Sequence, residues 1–138
     1  MRACSPPSSK KRGFVLVTMA VIMVAILACT GLAVDIGRMF IAKNEAQAYC
    51  DAAALSASAA LDGTPGGIER AQAAVAASSN TWNFNTTSFT QTVVNFAVLA
   101  TGPWVASPNP ASGYIYARVT VTPQVSMYFL PLQNQAQI

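Results

Sequence analysis

The sequence predicts an α+β protein with a long N-terminal transmembrane helix that extends outside the membrane, a short second helix and a small antiparallel β-sheet. Three observations lead to this prediction. Residues Phe14–Val34 form one apolar run without a charge. An alanine-rich stretch without proline continues from there to Leu61. The C-terminal half then alternates apolar and polar residues, which is the period of a strand.

The apolar run is long enough to cross a bilayer. Its 21 residues span roughly 30 Å as a helix, which is the thickness of the hydrocarbon core. Four basic residues and no acid precede it: Arg2, Lys10, Lys11 and Arg12. Because positive flanks stay in the cytoplasm, we interpret Lys10, Lys11 and Arg12 as topogenic residues. The N-terminus is therefore predicted to lie inside the cell, and residues 35–138 outside the membrane.

The apolar run has two other interpretations. A cleaved secretory signal has an apolar region of about 7–15 residues, which is shorter than this run. A lipoprotein signal is a sharper alternative, because Ile26-Leu27-Ala28-Cys29 resembles the sequence before a lipidated cysteine. The chain would then be a lipoprotein or secreted binding module tethered through Cys29. The exported Cys50 has no exported partner, and is either a packed free thiol or part of an intermolecular bridge.

Charge and composition argue against catalysis and nucleic-acid binding. The net charge is +3, yet the N-terminal tail alone carries +4, so the remainder sums to −1. The chain has no histidine, the usual general base and zinc ligand. Its carboxylates are dispersed, and no phosphate-binding loop or Cys-x-x-Cys motif is present. We therefore predict a protein that is not an enzyme, with no catalytic, cofactor-binding or metal site and no small-molecule substrate.

The first helix is predicted over 13–61 and ends at the turn Asp62-Gly63-Thr64-Pro65-Gly66-Gly67. Its exported half carries small residues four positions apart, which allow a close approach by another element. The predicted packing face comprises Asp51, Ala53, Ala54 and Ala57. It packs either against the chain's own C-terminal domain or against another subunit, and the sequence leaves both interpretations open. At the membrane exit, Asp35 and Arg38 are predicted to end the membrane segment and to remain hydrated.

The remaining elements are shorter. We predict a second helix over 68–79, a strand over 92–99 buried on both faces, an alternating strand over 114–122 and a third strand over 124–130. The predicted organisation is a disordered basic cytoplasmic tail (1–12), the transmembrane and extended helix (13–62) and a small exported α+β domain (63–138). The β-rich part is of a size that is marginally stable alone, and we interpret this domain as incomplete.

The residues of the first helix closely resemble a known family. The strings Gly31-Leu32-Ala33-Val34-Asp35-Ile36-Gly37-Arg38 and Asp51-Ala52-Ala53-Ala54-Leu55 are similar, in type and separation, to the N-terminal segment of TadE/TadG-like proteins of Flp pilus (tight adherence) assembly. The family motif at the membrane exit comprises Gly31, Asp35, Gly37 and Arg38. Thr18 stands where prepilin-like members have a glutamate, and no von Willebrand factor A-type domain follows the segment.

The resemblance implies a structural or assembly component of a Flp (Tad) pilus or related secretion system that acts by helix and domain packing. The implied location is the bacterial inner membrane, with a single pass and a periplasmic or otherwise extracytoplasmic C-terminal part. The implied partners are the lipid bilayer and other pilus-assembly or pilin-like subunits in cell adhesion.

Overall fold

The computed structural model of the chain describes residues 11–129 and 136–137, and at residues 11, 12, 136 and 137 it describes the backbone alone. These described residues form two helices, α1 (Lys11–Ala60) and α2 (Pro65–Ala77). Six strands follow within the same described residues: β1 (Thr81–Trp82), β2 (Thr87–Ser88), β3 (Thr90–Ala97), β4 (Tyr116–Thr122), β5 (Gln124–Val125) and β6 (Ala136–Gln137). The predicted α+β class is confirmed.

Helix α1 is a single continuous helix of 50 residues. It is long and apolar enough to cross a membrane, and 6% of its most apolar window is buried within the chain. Phe14 and Leu16, for example, are 76% and 72% exposed. A core helix of a soluble domain would bury such side chains, so this exposure is compatible with membrane anchoring.

Helix α2 begins three residues before the predicted start, because the turn itself caps it. The Thr64 hydroxyl accepts a hydrogen bond from the Gly67 backbone N–H at 3.2 Å, and Pro65 occupies the first helical turn, where its missing N–H costs nothing. Asp62 accepts hydrogen bonds from the backbone N–H and the hydroxyl of Thr64 at 3.0 and 2.6 Å. The turn therefore ends α1 and starts α2 in one local network.

The strands form three antiparallel pairs, β1–β2, β3–β4 and β5–β6. The main pair is β3–β4, in which Phe96 lies opposite Ala117 and Val94 opposite Val119. The predicted third strand is shorter than expected, since β5 covers only Gln124–Val125. The chain then runs towards α1, and Leu130 lies outside the described residues.

The first long strand is buried on both faces only at its C-terminal end, so the prediction of burial along its whole length is wrong. Phe96 and Ala97 are fully buried, but Val93 is 43% exposed, and Val98 and Leu99 are also exposed beyond the end of β3. Phe96 and Ala97 are neighbours and therefore point to opposite faces of the strand, so both faces are covered at this end, whereas the face that carries Val93 is open nearer the start of β3. A mostly apolar run indicates burial on both faces, but it does not show how far along the strand the covering elements extend.

The core is built on the second half of α1. The helix contributes buried residues three or four positions apart, which is the spacing of one helical face: Ala42, Ala46, Tyr49, Ala53 and Ala57. Helix α2 adds Ile68, Ala71 and Val75, and the β-rich part adds Trp82, Phe89, Phe96, Val119 and Val125. The Phe89 ring lies between Tyr49 and Trp82, with ring centroids 5.5 and 6.2 Å away. One helix thus carries both the apolar run and the core of the C-terminal domain.

Candidate functional site

Asp35 forms the centre of a contact between α1 and the segment that follows β5. Its Oδ1 accepts a hydrogen bond from the backbone N–H of Tyr128 at 3.0 Å, and its Oδ2 accepts one from the backbone N–H of Phe129 at 2.9 Å. Hydrogen bonds to a charged acceptor are about twice as strong as neutral ones. We call Gly31, Asp35, Arg38, Tyr128 and Phe129 the exit cluster, because they lie where the apolar run ends.

The expectation that Asp35 and Arg38 remain hydrated is wrong for Asp35. Asp35 is 1% exposed, because the backbone of residues 128–129 covers its carboxylate. Arg38 is half-buried, and its guanidinium carbon lies 4.3 Å from the centroid of the Tyr128 ring. Such a cation–π contact holds the tyrosine ring beside the helix. The Nε atom of Arg38 is buried and has no hydrogen-bond partner among the described residues.

Gly31 makes room for Phe129. A Cβ atom at position 31 would lie 2.7 Å from the Cγ atom of Phe129, which is closer than real contacts allow. The ring therefore packs directly on the helix backbone one turn before Asp35. Gly37 differs, since a Cβ atom there would meet nothing within 4 Å. The structure brings three of the four motif residues into the exit cluster and leaves Gly37 on the exposed surface.

The residues of the predicted packing face lie in different environments. Ala53 and Ala57 are fully buried against the chain's own domain, and Ala54 is half-buried beside them. Asp51 is exposed and does not belong to this contact. At 100° per residue, position 51 is about 200° from position 53, so the two side chains point to opposite sides of α1.

The predicted topogenic residues lie at the start of α1 or before it. Lys10 lies outside the described residues, and α1 begins at Lys11 and continues through Arg12.

The two described cysteines differ in their exposure. Cys29 is exposed within α1, and Cys50 is half-buried beside the core. Burial raises the pKa of the Cys50 thiol, which lowers its thiolate fraction and its reactivity. Among the described residues, no group of histidine, cysteine, aspartate or glutamate could hold a metal ion.

Sequence reasoning missed Tyr128 and Phe129. The predicted strand over 124–130 includes both, but in the structure both lie after the end of β5. The two residues are 68% and 61% exposed. The sequence signal that could have drawn attention to them is the pair of adjacent aromatic residues itself. Nothing in the local pattern, however, connects them to a helix residue 93 positions away.

The fold and the exit cluster define a class of protein. In this class a small α+β domain is built on the second half of one long helix, and the first half of that helix is an exposed apolar run. Residues 13–62 match the model of a family described as putative Flp pilus-assembly TadE/G-like, which confirms the predicted resemblance of the N-terminal segment. The matched segment contains Gly31, Asp35 and Arg38 and ends before α2. No curated protein and no solved structure matches the chain.

Proposed function

We propose that the protein is a membrane-anchored structural component of a Flp (Tad) pilus or a related secretion system. The observation that carries this proposal is the family match over residues 13–62, which coincides with the helix that bears the apolar run and Asp35. In this proposal α1 crosses the bacterial inner membrane once. The N-terminus lies in the cytoplasm, and the exported α+β domain stands on the outer surface.

The proposed mode of action is packing, not catalysis. The chain contains no histidine, and the buried residues of its outer half are almost all apolar. One continuous helix carries both the apolar run and the core residues of the domain, which supports a role in which the membrane segment and the exported domain are positioned together. Residues 1–12 form the cytoplasmic tail, residues 13–62 the anchor and pilin-like helix, and residues 63–138 the exported domain.

The proposed protein partners are other pilus-assembly or pilin-like subunits. Ala53 and Ala57 are occupied by the chain's own domain, so the side of α1 open to another subunit is the opposite one. That side carries small residues around Leu55, which is 72% exposed, and it includes Asp51 and Ala52. A helix with small side chains on its surface allows another helix to approach closely.

Deletion of the gene in its bacterial host tests the proposal. We expect fewer assembled pili and weaker surface attachment, both restored by the wild-type gene. Complementation with Asp35→Ala should fail to restore them, because the exit cluster is lost, whereas Glu69→Ala should restore them, because Glu69 is exposed on α2 and lies outside both the core and the proposed subunit-binding side of α1. Normal pili and attachment in the deletion strain, with no second copy of the gene present, would contradict the proposal.

A further inference from the structure

We propose that Tyr128 and Phe129 form a second membrane contact, inserted between the head groups and acyl chains of the outer leaflet beside α1. This inference rests on the proposed function to the extent that α1 crosses the bilayer with the domain outside. It adds a lipid-binding surface that lies far from the apolar run in sequence and joins it only in the fold.

The depth of the two rings supports this inference. Phe129 packs on Gly31. Gly31 precedes Asp35 by four residues and therefore lies about 6 Å deeper in the apolar run along the helix axis. Tyr128 lies under the guanidinium of Arg38, on the outer side of Asp35. The phenylalanine therefore lies at the level of acyl chains, while the tyrosine and arginine lie at the level of head groups. Aromatic residues and long cationic side chains prefer this boundary.

The exposed surface around Phe129 is continuous with the surface of the membrane helix. Phe129 borders a cleft of about 610 Å³ whose other lining residues all belong to the apolar run: Val24, Leu27, Ala28, Gly31 and Leu32. Leu27 is 67% exposed and Phe129 61% exposed. In a helix that crosses a bilayer, Leu27 is covered by acyl chains. The same acyl chains are then in contact with the Phe129 side of the cleft.

The backbone of this segment is suited to an apolar environment. An N–H group without a partner is costly in lipid. The N–H groups of Tyr128 and Phe129 both donate to Asp35, so the two residues that carry the rings bring no unpaired donor to the boundary. Asp35 thereby has a role specific to this location: it satisfies the polar backbone of a segment whose side chains face lipid.

Depth-dependent fluorescence quenching tests the inference on the full-length protein. The protein, with its native cysteines replaced by Cys4→Ser, Cys29→Ala and Cys50→Ala, is reconstituted into phosphatidylcholine–phosphatidylglycerol vesicles with or without brominated acyl chains. An environment-sensitive fluorophore is attached at Phe129→Cys, Tyr128→Cys, Leu27→Cys or Phe84→Cys in separate samples. Phe84 is 97% exposed, and the neighbouring Asn83 contacts α1 at Glu45, about 15 Å beyond Asp35.

We expect brominated lipid to quench the label at residue 129 nearly as strongly as the label at residue 27, and to quench residue 128 when the bromine is near the head group. The label at residue 84 should lose no fluorescence. Quenching at residue 27 but at neither 128 nor 129 would overturn the inference and leave the membrane span intact. Absence of quenching at residue 27 would instead contradict the span itself, and with it the inference.

The variant Phe129→Cys removes the ring that packs on Gly31, and this loss could itself prevent quenching at residue 129. The variant Tyr128→Cys keeps that ring in place, so quenching at residue 128 would show that the segment still meets lipid. Soluble iodide provides the complementary measurement. Labels at 128 and 129 that are shielded from both iodide and brominated lipid would mean that another copy of the chain covers this surface, and this result would also overturn the inference.

Discussion

The carboxylate of Asp35 accepts a hydrogen bond from the backbone N–H of Phe129, a residue 94 positions later in the chain, at 2.9 Å. Asp35 ends the apolar run of α1, and Phe129 lies four residues after the end of β5. This bond ties the segment after β5 to the point where the helix leaves the apolar run.

Replacement of Asp35 by asparagine should release the segment around Tyr128 and Phe129. An amide retains one acceptor oxygen and presents an NH2 group to the second N–H, so one buried donor loses its partner. Such a loss typically costs about 1–3 kcal/mol. Hydrogen exchange of the Tyr128 and Phe129 amides in detergent should therefore accelerate. Asp51→Asn, an exposed change on the same helix, is the control, and equal exchange in both variants would contradict the role assigned to Asp35.

Two glycines of α1 should respond in opposite ways to the same substitution. Gly31→Ala places a Cβ atom against the Phe129 ring, so the ring must leave the helix and the segment loosens. Gly37→Ala meets nothing within 4 Å and should stabilise the helix by up to about 1 kcal/mol through backbone entropy. Limited proteolysis after residue 125, together with thermal unfolding, measures both effects. Identical behaviour of the two variants would disprove the close packing of Phe129 on Gly31.

Enlargement of the buried alanines should destabilise the domain. Ala53 and Ala57 are fully buried, and overpacking of a filled core typically costs about 1–3 kcal/mol for each site. The double variant Ala53→Leu/Ala57→Leu should therefore lower the unfolding temperature and the steady-state abundance. Ala52→Leu/Ala59→Leu places the same side chains on exposed positions of the same helix and should change the unfolding temperature of the purified protein little. Comparable losses in both double variants would indicate that the outer face is also packed.

The turn before α2 should contribute a pH-dependent part of the stability. Hydrogen bonds from the side chain and backbone of Thr64, with a smaller contribution from Arg70, lower the pKa of Asp62 to about 2. Because the unfolded value is about 3.9, Asp62 stabilises the fold above that value, and this contribution is lost as the pH falls through about 2.

The variant Asp62→Ala tests this dependence. It should unfold at a lower temperature than the wild type near neutral pH, and the gap should narrow as the pH falls below about 4. Arg70→Ala removes only the weaker partner of Asp62, which it contacts in an exposed ion pair. Its effect on the unfolding temperature should have the same sign as that of Asp62→Ala and be smaller. A gap between Asp62→Ala and wild type that does not change across this range would contradict the assignment.

The orientation of the chain should depend on its N-terminal charges. A reporter that is active only outside the cytoplasm, fused after Ser79, should be active in the intact protein. Replacement of Lys10, Lys11 and Arg12 by glutamine should reduce the active fraction, because the positive flank holds the N-terminus inside. A reporter active only in the cytoplasm, fused at the same position, is the control. Activity of that second reporter in the intact protein would reverse the proposed orientation.

The elements with strong local signals were predictable from sequence. The first helix was expected over 13–61 and runs over Lys11–Ala60, because an apolar run and an alanine-rich stretch without proline both favour helix. The alternating strand at 114–122 is observed as Tyr116–Thr122. The third strand was overestimated, since the aromatic residues that extend the pattern beyond Val125 contact α1 and not a neighbouring strand.

The α+β class, the long helix with its apolar run and the family resemblance of that helix follow from the sequence, because each depends on residues close together in the chain. Only the fold shows that Ala53 and Ala57 face the chain's own domain while Asp51 faces away, and that Asp35 is buried. Both depend on which distant segment covers the helix. The pairing of Asp35 with backbone N–H groups 93 and 94 positions away leaves no local pattern, because any residue type except proline supplies such a donor.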